Sequence, residues 1–226
     1  MGDTKNRTLV EKKTTDYDAT YSKIELSKSY HIKDWSDVNK ILLIGTSTGG
    51  PNALQTVLSR FPENIPIPIV VVQHMPPGFT KSLANRLNSL SKIKVKEAEN
   101  QEVLQNGTAY IAPGGYQLTL KSSGKNIMAV LDKSPKECIH CPSVDLLFFS
   151  ASELKGYGKI VVLMTGMGSD GSKGLIALKN NGFVKTIAES KETCVVFGMP
   201  KAAIATGYID EIIALEEISE TVMKYL

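Results

Sequence analysis

The chain has 226 residues, 42% hydrophobic and 22% charged, which is typical of a soluble globular protein. No apolar run approaches the roughly 20 residues of a transmembrane helix, and the polar N-terminus lacks the apolar core of a secretory signal; we therefore expect a cytoplasmic protein without membrane insertion. The net charge of +3 is spread over 26 basic and 23 acidic residues without a concentrated basic patch, so nucleic acid is not an expected partner.

Residues 1–38 differ in composition from the rest of the chain. They are rich in Thr, Lys, Asp and Glu and show no sustained apolar period. Such a segment buries too little apolar surface to offset the entropy cost of ordering, so we predict a poorly ordered tail or linker. A short helix over residues 30–38 would let Trp35 dock on the main domain. The remaining residues, 39–226, fit one α/β domain.

Short apolar runs alternate with helical patterns along this domain. The apolar runs lie at residues 41–45, 68–74, 108–113, 128–132, 159–166 and 184–188. Helical spacing of apolar residues occurs at 51–61, 80–90, 142–154, 171–180, 200–205 and 218–226. Runs that are apolar on both faces are typical of buried parallel strands, so we predict an α/β fold with a doubly wound, mostly parallel sheet and helices on both faces. The strand-dense segment 94–132 is compatible with an antiparallel hairpin at one sheet edge.

Ligands of an open parallel sheet bind beyond the carboxyl ends of its strands. Three predicted strands end in residues that can carry chemistry: the first in GTSTGG (45–50), the second in His74, and the fifth in TGMGSDG (165–171). The first ending contains G-x-S-x-G, the pattern of a nucleophile elbow, which makes Ser47 a candidate nucleophile. A phosphate-binding loop or a simple tight turn is the alternative interpretation of this loop.

A serine hydroxyl needs a neighbouring base to act as a nucleophile. His31 lies in the polar tail and His140 in a predicted loop, whereas His74 ends a strand at the same sheet edge as Ser47. Asp170 fits the carboxylate that orients the imidazole, although it also fits a helix N-cap. We expect Ser47 Oγ near hydrogen-bond reach of His74 Nε2. The chain order of these residues argues against an α/β-hydrolase.

Six segments in order, IGTSTGGPNAL, VVVQHMPPGFT, AYIAPGGYQL, PSVDLLFFSAS, VVLMTGMGSDGSKGL and TCVVFGMPKAAI, resemble the catalytic domain of the chemotaxis receptor protein-glutamate methylesterases. The resemblance extends from about residue 40 to the C-terminus. It implies a serine hydrolase, without metal or organic cofactor, that cleaves glutamate γ-methyl esters on the cytoplasmic helical domain of methyl-accepting chemotaxis receptors. Many relatives also deamidate receptor glutamines, which makes this a second expected activity.

The same resemblance assigns roles to individual residues. It implies that Ser47 is the nucleophile of an acyl-enzyme mechanism, that His74 is the general base and then the general acid, and that Asp170 holds His74. The backbone amides of Thr48 and Met167 are the implied donors to the oxyanion. Each such donor contributes about 3 kcal/mol to lowering the barrier in serine hydrolases.

The sequence also departs from the family pattern in three places. Many relatives carry an N-terminal receiver domain, but about 40 residues before the first predicted strand are too few for one. Cys141 stands where we expect a basic residue, and Glu189 stands where we expect glutamine. We therefore expect the catalytic domain alone, with altered details in the substrate groove.

Two single motifs in the sequence suggest other functions. Gly166–Gly171 matches the dinucleotide-binding pattern G-x-G-x-x-G, with Glu189 near the position of a ribose-binding acid, so a dinucleotide-binding oxidoreductase is the alternative. Cys138 and Cys141, with His140 between them, offer too few ligands for structural zinc. The three cysteines are expected to be reduced thiols, because they are too few for a disulfide scaffold.

Overall fold

The centre of the structure is a seven-stranded sheet in which every pair of neighbouring strands is parallel. The computed structural model of the chain describes residues 35–133 and 140–226. Most of the predicted tail therefore lies outside the described residues, as do His31 and Cys138. The described part begins with a 3-10 helix, Trp35–Asp37, and the Trp35 indole donates a hydrogen bond to the Tyr225 carbonyl at 2.7 Å.

In the described part of the chain, ten strands, six α-helices and a second 3-10 helix, Leu215–Glu217, follow this short helix. The strands are β1 (Asn39–Thr46), β2 (Ile69–Gln73), β3 (Lys94–Glu97), β4 (Glu102–Val103), β5 (Thr108–Ile111), β6 (Tyr116–Ser123), β7 (Asn126–Lys133), β8 (Tyr157–Leu163), β9 (Val184–Glu189) and β10 (Glu211–Ile213). The helices are α1 (Gly50–Leu58), α2 (Phe79–Leu90), α3 (Val144–Ser152), α4 (Ser172–Asn180), α5 (Met199–Ala205) and α6 (Ile218–Lys224). No helix in the described ranges is long and apolar enough to cross a bilayer.

Strand β1 lies at the middle of the sheet, whose order is β10-β9-β8-β1-β2-β5-β3. Leu43 of β1 pairs with Val70 of β2 on one side and with Val161 of β8 on the other. All three strands are buried on both faces, which explains their continuous apolar composition. The chain leaves β1 toward β2 and later returns to add β8 on the opposite side. The sheet therefore changes winding direction between β1 and β8.

Helices cover both faces of the main sheet and enclose two apolar cores. Buried residues of α1, α2 and α6 pack on one face, and those of α3, α4 and α5 pack on the other. Alternate β1 residues face opposite cores. Leu42 and Ile44 pack in the core with α1, α2 and α6, whereas Ile41 and Leu43 pack in the core with α3, α4 and α5. The predicted doubly wound α/β fold is confirmed.

The antiparallel hairpin expected within residues 94–132 is formed by β6 and β7. Together with β4 it makes a separate three-stranded sheet, so it does not extend the edge of the main sheet. The run 128–132, which its composition placed among the parallel strands, lies in this antiparallel sheet. Ala129 of this run, together with Ile127 just before it, faces the core that also contains α3, and this packing explains why the run resembles a buried strand.

Helices α3 and α4 approach most closely at Gly174. A Cβ there would lie 2.5 Å from Phe148 Cβ and 2.8 Å from the Asp145 carbonyl oxygen, and neither atom belongs to a flexible side-chain end. We expect Gly174→Ala to lower the free energy of unfolding by about 2 kcal/mol, because overpacking outweighs the gain in helix propensity. Urea denaturation measures the loss. Gly182→Ala is the control, since its Cβ would meet only Lys159 Nζ at 3.5 Å; equal effects in the two variants would contradict the explanation.

Candidate active site

The three sequence-predicted side chains lie at the carboxyl edge of neighbouring strands. Ser47 directly follows β1, His74 directly follows β2, and Asp170 lies in the loop after β8. Because β1 stands between β2 and β8, these three loops are adjacent at the point where the winding direction changes. This is the position at which doubly wound sheets bind their ligands.

The Ser47 loop is held by backbone and side-chain hydrogen bonds from both neighbouring strands. Ser47 N donates to the Thr165 carbonyl at 3.0 Å, and Gln73 Nε2 donates to the Ser47 carbonyl at 3.0 Å. Gly49 has φ 85°, a left-handed conformation that other residues adopt at a cost. A Cβ at Gly166 would lie 2.8 Å from Ser47 Cβ, so the loops after β1 and β8 touch where glycine leaves room.

His74 and Asp170 form a direct hydrogen bond. The distance from His74 Nε2 to Asp170 Oδ2 is 2.7 Å, and both side chains are largely buried. An ionised carboxylate can only accept a hydrogen bond, so Nε2 carries the proton and Nδ1 has the free electron pair. The expectation that Nε2 faces Ser47 is therefore wrong. No hydrogen bond joins Ser47 Oγ to His74 among the described residues.

Asp170 is ionised by the hydrogen bonds around it. Burial alone would raise the pKa of Asp170, but hydrogen bonds from His74, Asp145 N and Val144 N outweigh it and lower the pKa to about 2. Oδ2 accepts from Val144 N at 2.7 Å, and Oδ1 accepts from Asp145 N at 2.9 Å and from Ser143 Oγ at 3.0 Å. The carboxylate thus stays charged throughout the neutral range and has a fixed orientation.

Asp170 does not cap the helix that follows it. The N-cap of α4 is Gly171, which has no side-chain cap. Instead the Asp170 carboxylate accepts hydrogen bonds from the first backbone amides of α3, whose own N-cap is Ser143. In the opposite direction, Asp145 of α3 binds the start of α4: its Oδ1 accepts hydrogen bonds from Gly171 N at 2.9 Å and from Gly174 N at 2.7 Å. The beginnings of α3 and α4 therefore stabilise each other across the site.

The amides of Thr48 and Met167 are available to an incoming group. Neither N–H donates to an acceptor within residues 35–133 and 140–226. Thr48 is exposed, and Met167 is 74% exposed on the loop after β8. Both amides belong to loops that contact each other next to Ser47. This arrangement is consistent with the prediction that both amides donate hydrogen bonds to a negatively charged oxygen beside the serine. Their role in the reaction stays a prediction.

Sequence reasoning missed several residues that support His74. The His140 ring stacks on the His74 ring with centroids 4.4 Å apart and planes 3° apart. Gln117 fixes the segment that carries His140, since Nε2 donates to the His140 carbonyl at 2.7 Å and Oε1 accepts from Ser143 N at 2.8 Å. The only signal for them in the sequence was the CIHCPSVD segment, whose position relative to β2 is a property of the tertiary fold.

The two cysteines that the structure describes differ in their redox state. Cys141 is disulfide-bonded, so the expectation of reduced thiols is wrong for this residue, because a small cysteine count does not exclude a single disulfide. Cys194 is a free thiol, and burial raises its pKa to about 12. Among the described residues, no group of three or more His, Cys, Asp and Glu side chains is placed to hold a metal ion.

The family model for CheB methylesterase matches residues 42–222 of the chain. Among curated proteins, the chain is similar to a protein-glutamate methylesterase/protein-glutamine glutaminase of Geobacillus kaustophilus, with 54% identity over 186 residues that cover 82% of this chain and 53% of the relative. A relative of the same name from Bacillus subtilis is 51% identical over 183 residues, 81% of this chain and 51% of the relative. The chain spans about half the length of these curated relatives.

A solved structure also matches. The crystal structure of the Thermotoga maritima CheB methylesterase catalytic domain aligns with a TM-score of 0.80 and 48% sequence identity, and the alignment covers 83% of this chain and 99% of that chain. These matches give no support to the dinucleotide-binding alternative. The structure adds a physical reason, since Glu189 is fully buried with one oxygen bonded to Thr165 N and cannot reach a ribose in solvent.

Proposed function

Since the chain belongs to the CheB methylesterase family, we propose that it hydrolyses glutamate γ-methyl esters on the cytoplasmic helical domain of methyl-accepting chemotaxis receptors. The observation that carries this proposal is the 2.7 Å hydrogen bond between His74 and an ionised Asp170 at the sheet edge that also holds Ser47. An oriented imidazole beside a serine suits acyl transfer, because it can accept the hydroxyl proton and later return it.

In the first half of the reaction, Ser47 Oγ attacks the ester carbonyl and its proton passes to His74 Nδ1. The imidazolium that forms lies between the Asp170 carboxylate, which stabilises its charge, and the reacting atoms. His74 then gives this proton to the methoxy oxygen, so that methanol leaves and the glutamyl group stays on Ser47 as an ester.

In the second half, water attacks the glutamyl ester of Ser47. His74 takes one proton from this water and returns it to Ser47 Oγ as the acyl bond breaks. The products are a free glutamate side chain and the original serine. All protons are moved by one imidazole, so the sequence of steps requires no metal or organic cofactor.

Both tetrahedral intermediates place a negative charge on the former carbonyl oxygen. We propose that the amides of Thr48 and Met167 donate to this oxygen, because neither donates to an acceptor within the described residues and their loops touch beside Ser47. Contact between Gly166 and Ser47 keeps the two donor loops together. A receptor glutamine would follow the same steps with ammonia as the leaving group, which makes deamidation a second proposed activity.

The proposal is tested by incubating the purified chain with receptor membranes whose glutamates carry radiolabelled methyl esters. We expect volatile labelled methanol to appear in proportion to enzyme concentration and to stop when the labelled esters are consumed. Membranes whose receptors were never methylated provide the background. Release no faster than in buffer alone would contradict the proposed function. Parallel ammonia measurements with receptors that carry glutamine at the same positions test deamidation separately.

A further inference from the structure

Glu189 is a buried acid that the steps above do not use. It ends β9, is 0% exposed and lies directly behind the Thr165 backbone. Its Oε2 accepts a hydrogen bond from Thr165 N at 2.7 Å. Its other oxygen, Oε1, is also buried and has no hydrogen-bond partner in the described part of the chain. A buried carboxylate with one oxygen that accepts no hydrogen bond is costly, whereas the neutral acid costs far less.

The surroundings of Glu189 offer no compensating positive charge. Within the described ranges, no lysine, arginine or histidine forms an ion pair with it. The groups that face it are Thr193 and the Cys194 thiol in the loop after β9, together with the carboxyl group of Glu216 in the 3-10 helix that precedes α6. Burial is the largest influence on Glu189 and raises its pKa. The interactions with Thr165 N, the Thr193 hydroxyl and the Cys194 thiol oppose this change without outweighing it, and Glu216 adds to it.

Thr165, the partner of Glu189, joins three loops of the site. Its carbonyl accepts from Ser47 N at 3.0 Å, and its hydroxyl donates to the Thr48 carbonyl at 2.9 Å. The same hydroxyl accepts from Val196 N at 3.0 Å. Thr165 also leads directly into Gly166 and Met167. A shift of Thr165 would therefore displace both the serine and the two proposed oxyanion donors.

We propose that Glu189 is a positioning residue that holds Thr165, and through it the serine and oxyanion loops, and that it does so as a neutral carboxylic acid. The neutral acid keeps its carbonyl oxygen as an acceptor for Thr165 N. Loss of the proton places a charge at a buried position where no described cation pairs with it, and the local structure must move to relieve it. The effect on turnover rests on the proposed function, whereas the effect on stability does not.

The pH dependence of stability follows from the direction of the pKa change. In the unfolded chain Glu189 loses its proton near its ordinary value of 4.5, whereas in the folded chain it keeps the proton to higher pH. The stability that this proton contributes is complete below pH 4.5 and is lost as pH rises through the folded-state pKa. Glutamine at this position carries no proton to lose, so Glu189→Gln removes this dependence.

The first measurement compares melting temperatures of the wild type and Glu189→Gln from pH 5 to pH 9. We expect the melting temperature of Glu189→Gln to rise relative to that of the wild type as the pH increases. The change should be roughly 3–5 °C for each pH unit between the unfolded-state and folded-state pKa values of Glu189. Glu192→Gln, at an exposed acid three residues further along, is the matched control and should run parallel to the wild type. Parallel curves for Glu189→Gln and the wild type would overturn the neutral-acid proposal.

The second measurement follows turnover on methylated receptors and the rate of Ser47 labelling by a fluorophosphonate. Glu189→Leu leaves Thr165 N without an acceptor, so we expect kcat to fall about tenfold with little change in KM, and labelling to slow in parallel. Glu189→Gln should keep both rates at neutral pH and decline less than the wild type in alkali. Wild-type kcat and labelling in Glu189→Leu would overturn the positioning role.

The two measurements also separate this inference from the proposed function. If the wild type releases no methanol, the function is wrong, while melting and labelling still test Glu189. If Glu189→Leu does not fold, the pH series with Glu189→Gln decides the matter alone. A labelling rate that depends on Glu189 in the absence of receptor hydrolysis would support the positioning role at a serine of different specificity.

Discussion

Replacing Ser47 with alanine should reduce methanol release from methylated receptor membranes by about 10⁶-fold, to the rate seen in buffer alone. The hydroxyl is the proposed point of attachment of the glutamyl group. The change removes one oxygen from a half-buried position, so the fold should persist. Circular dichroism and the melting temperature establish that it does.

The control for this variant is Ser82→Ala, at an exposed serine on α2. It should release methanol at the wild-type rate. A fluorophosphonate should label the wild type and Ser82→Ala once per chain and should not label Ser47→Ala. Turnover by Ser47→Ala within tenfold of the wild type would show that another group performs the nucleophilic attack.

Replacing Asp170 with asparagine should lower kcat by about 10⁴-fold while leaving substrate binding nearly unchanged. The carboxylate accepts the His74 Nε2 proton, which leaves Nδ1 free to act as the base. An asparagine amide can donate to Nε2, and this favours the tautomer with the proton on Nδ1. In that tautomer the nitrogen proposed to face Ser47 cannot accept a proton. Steady-state kinetics on methylated receptors measures the loss.

Asp132→Asn, at an exposed acid of the small sheet, is the matched control and should retain full activity. The ¹⁵N shifts of the His74 ring provide a direct test of the mechanism, because they distinguish the two tautomers. An Asp170→Asn variant with wild-type turnover, or with an unchanged tautomer, would contradict the proposed role of the carboxylate.

Asp170 also makes a pH-dependent contribution to stability. Its folded-state pKa of about 2 lies below the ordinary value of 3.8, so the contribution is complete above pH 3.8 and is lost as pH falls through about 2. Asp170→Asn should therefore be less stable than the wild type at neutral pH, with a smaller difference in strong acid. The direction is opposite to that expected for Glu189, so the two acids can be distinguished in one pH series.

The strands at the middle of the sheet could be predicted because burial on both faces leaves an apolar run in the sequence. Strands β1, β2 and β8 are of this kind. Strands β3 and β10 could not be predicted, because they form the two edges of the sheet and bury few side chains. In β3, sequence KVKE, only Val95 is buried, and three charged residues hide the alternation.

The positions of Ser47, His74 and Asp170 followed from one rule, since each lies where a buried strand ends. The orientation of the imidazole could not be deduced in the same way. Which ring nitrogen meets Asp170 depends on the direction from which the β8 loop approaches β2. The supporting contacts of Ser143 and His140 arise because the start of α3 lies over this loop, and no spacing along the chain indicates that arrangement.

The parallel pairing of β1 with β8 has a consequence for the synthesis of the protein. Thr46 and Thr165, which are 119 residues apart, are hydrogen-bonded at the centre of the site. A nascent chain therefore carries its serine and histidine long before translation reaches their carboxylate. Closing so long a segment is slow compared with local folding. The growing polypeptide should therefore remain without the proposed esterase activity on the ribosome until residues beyond Asp170 have emerged.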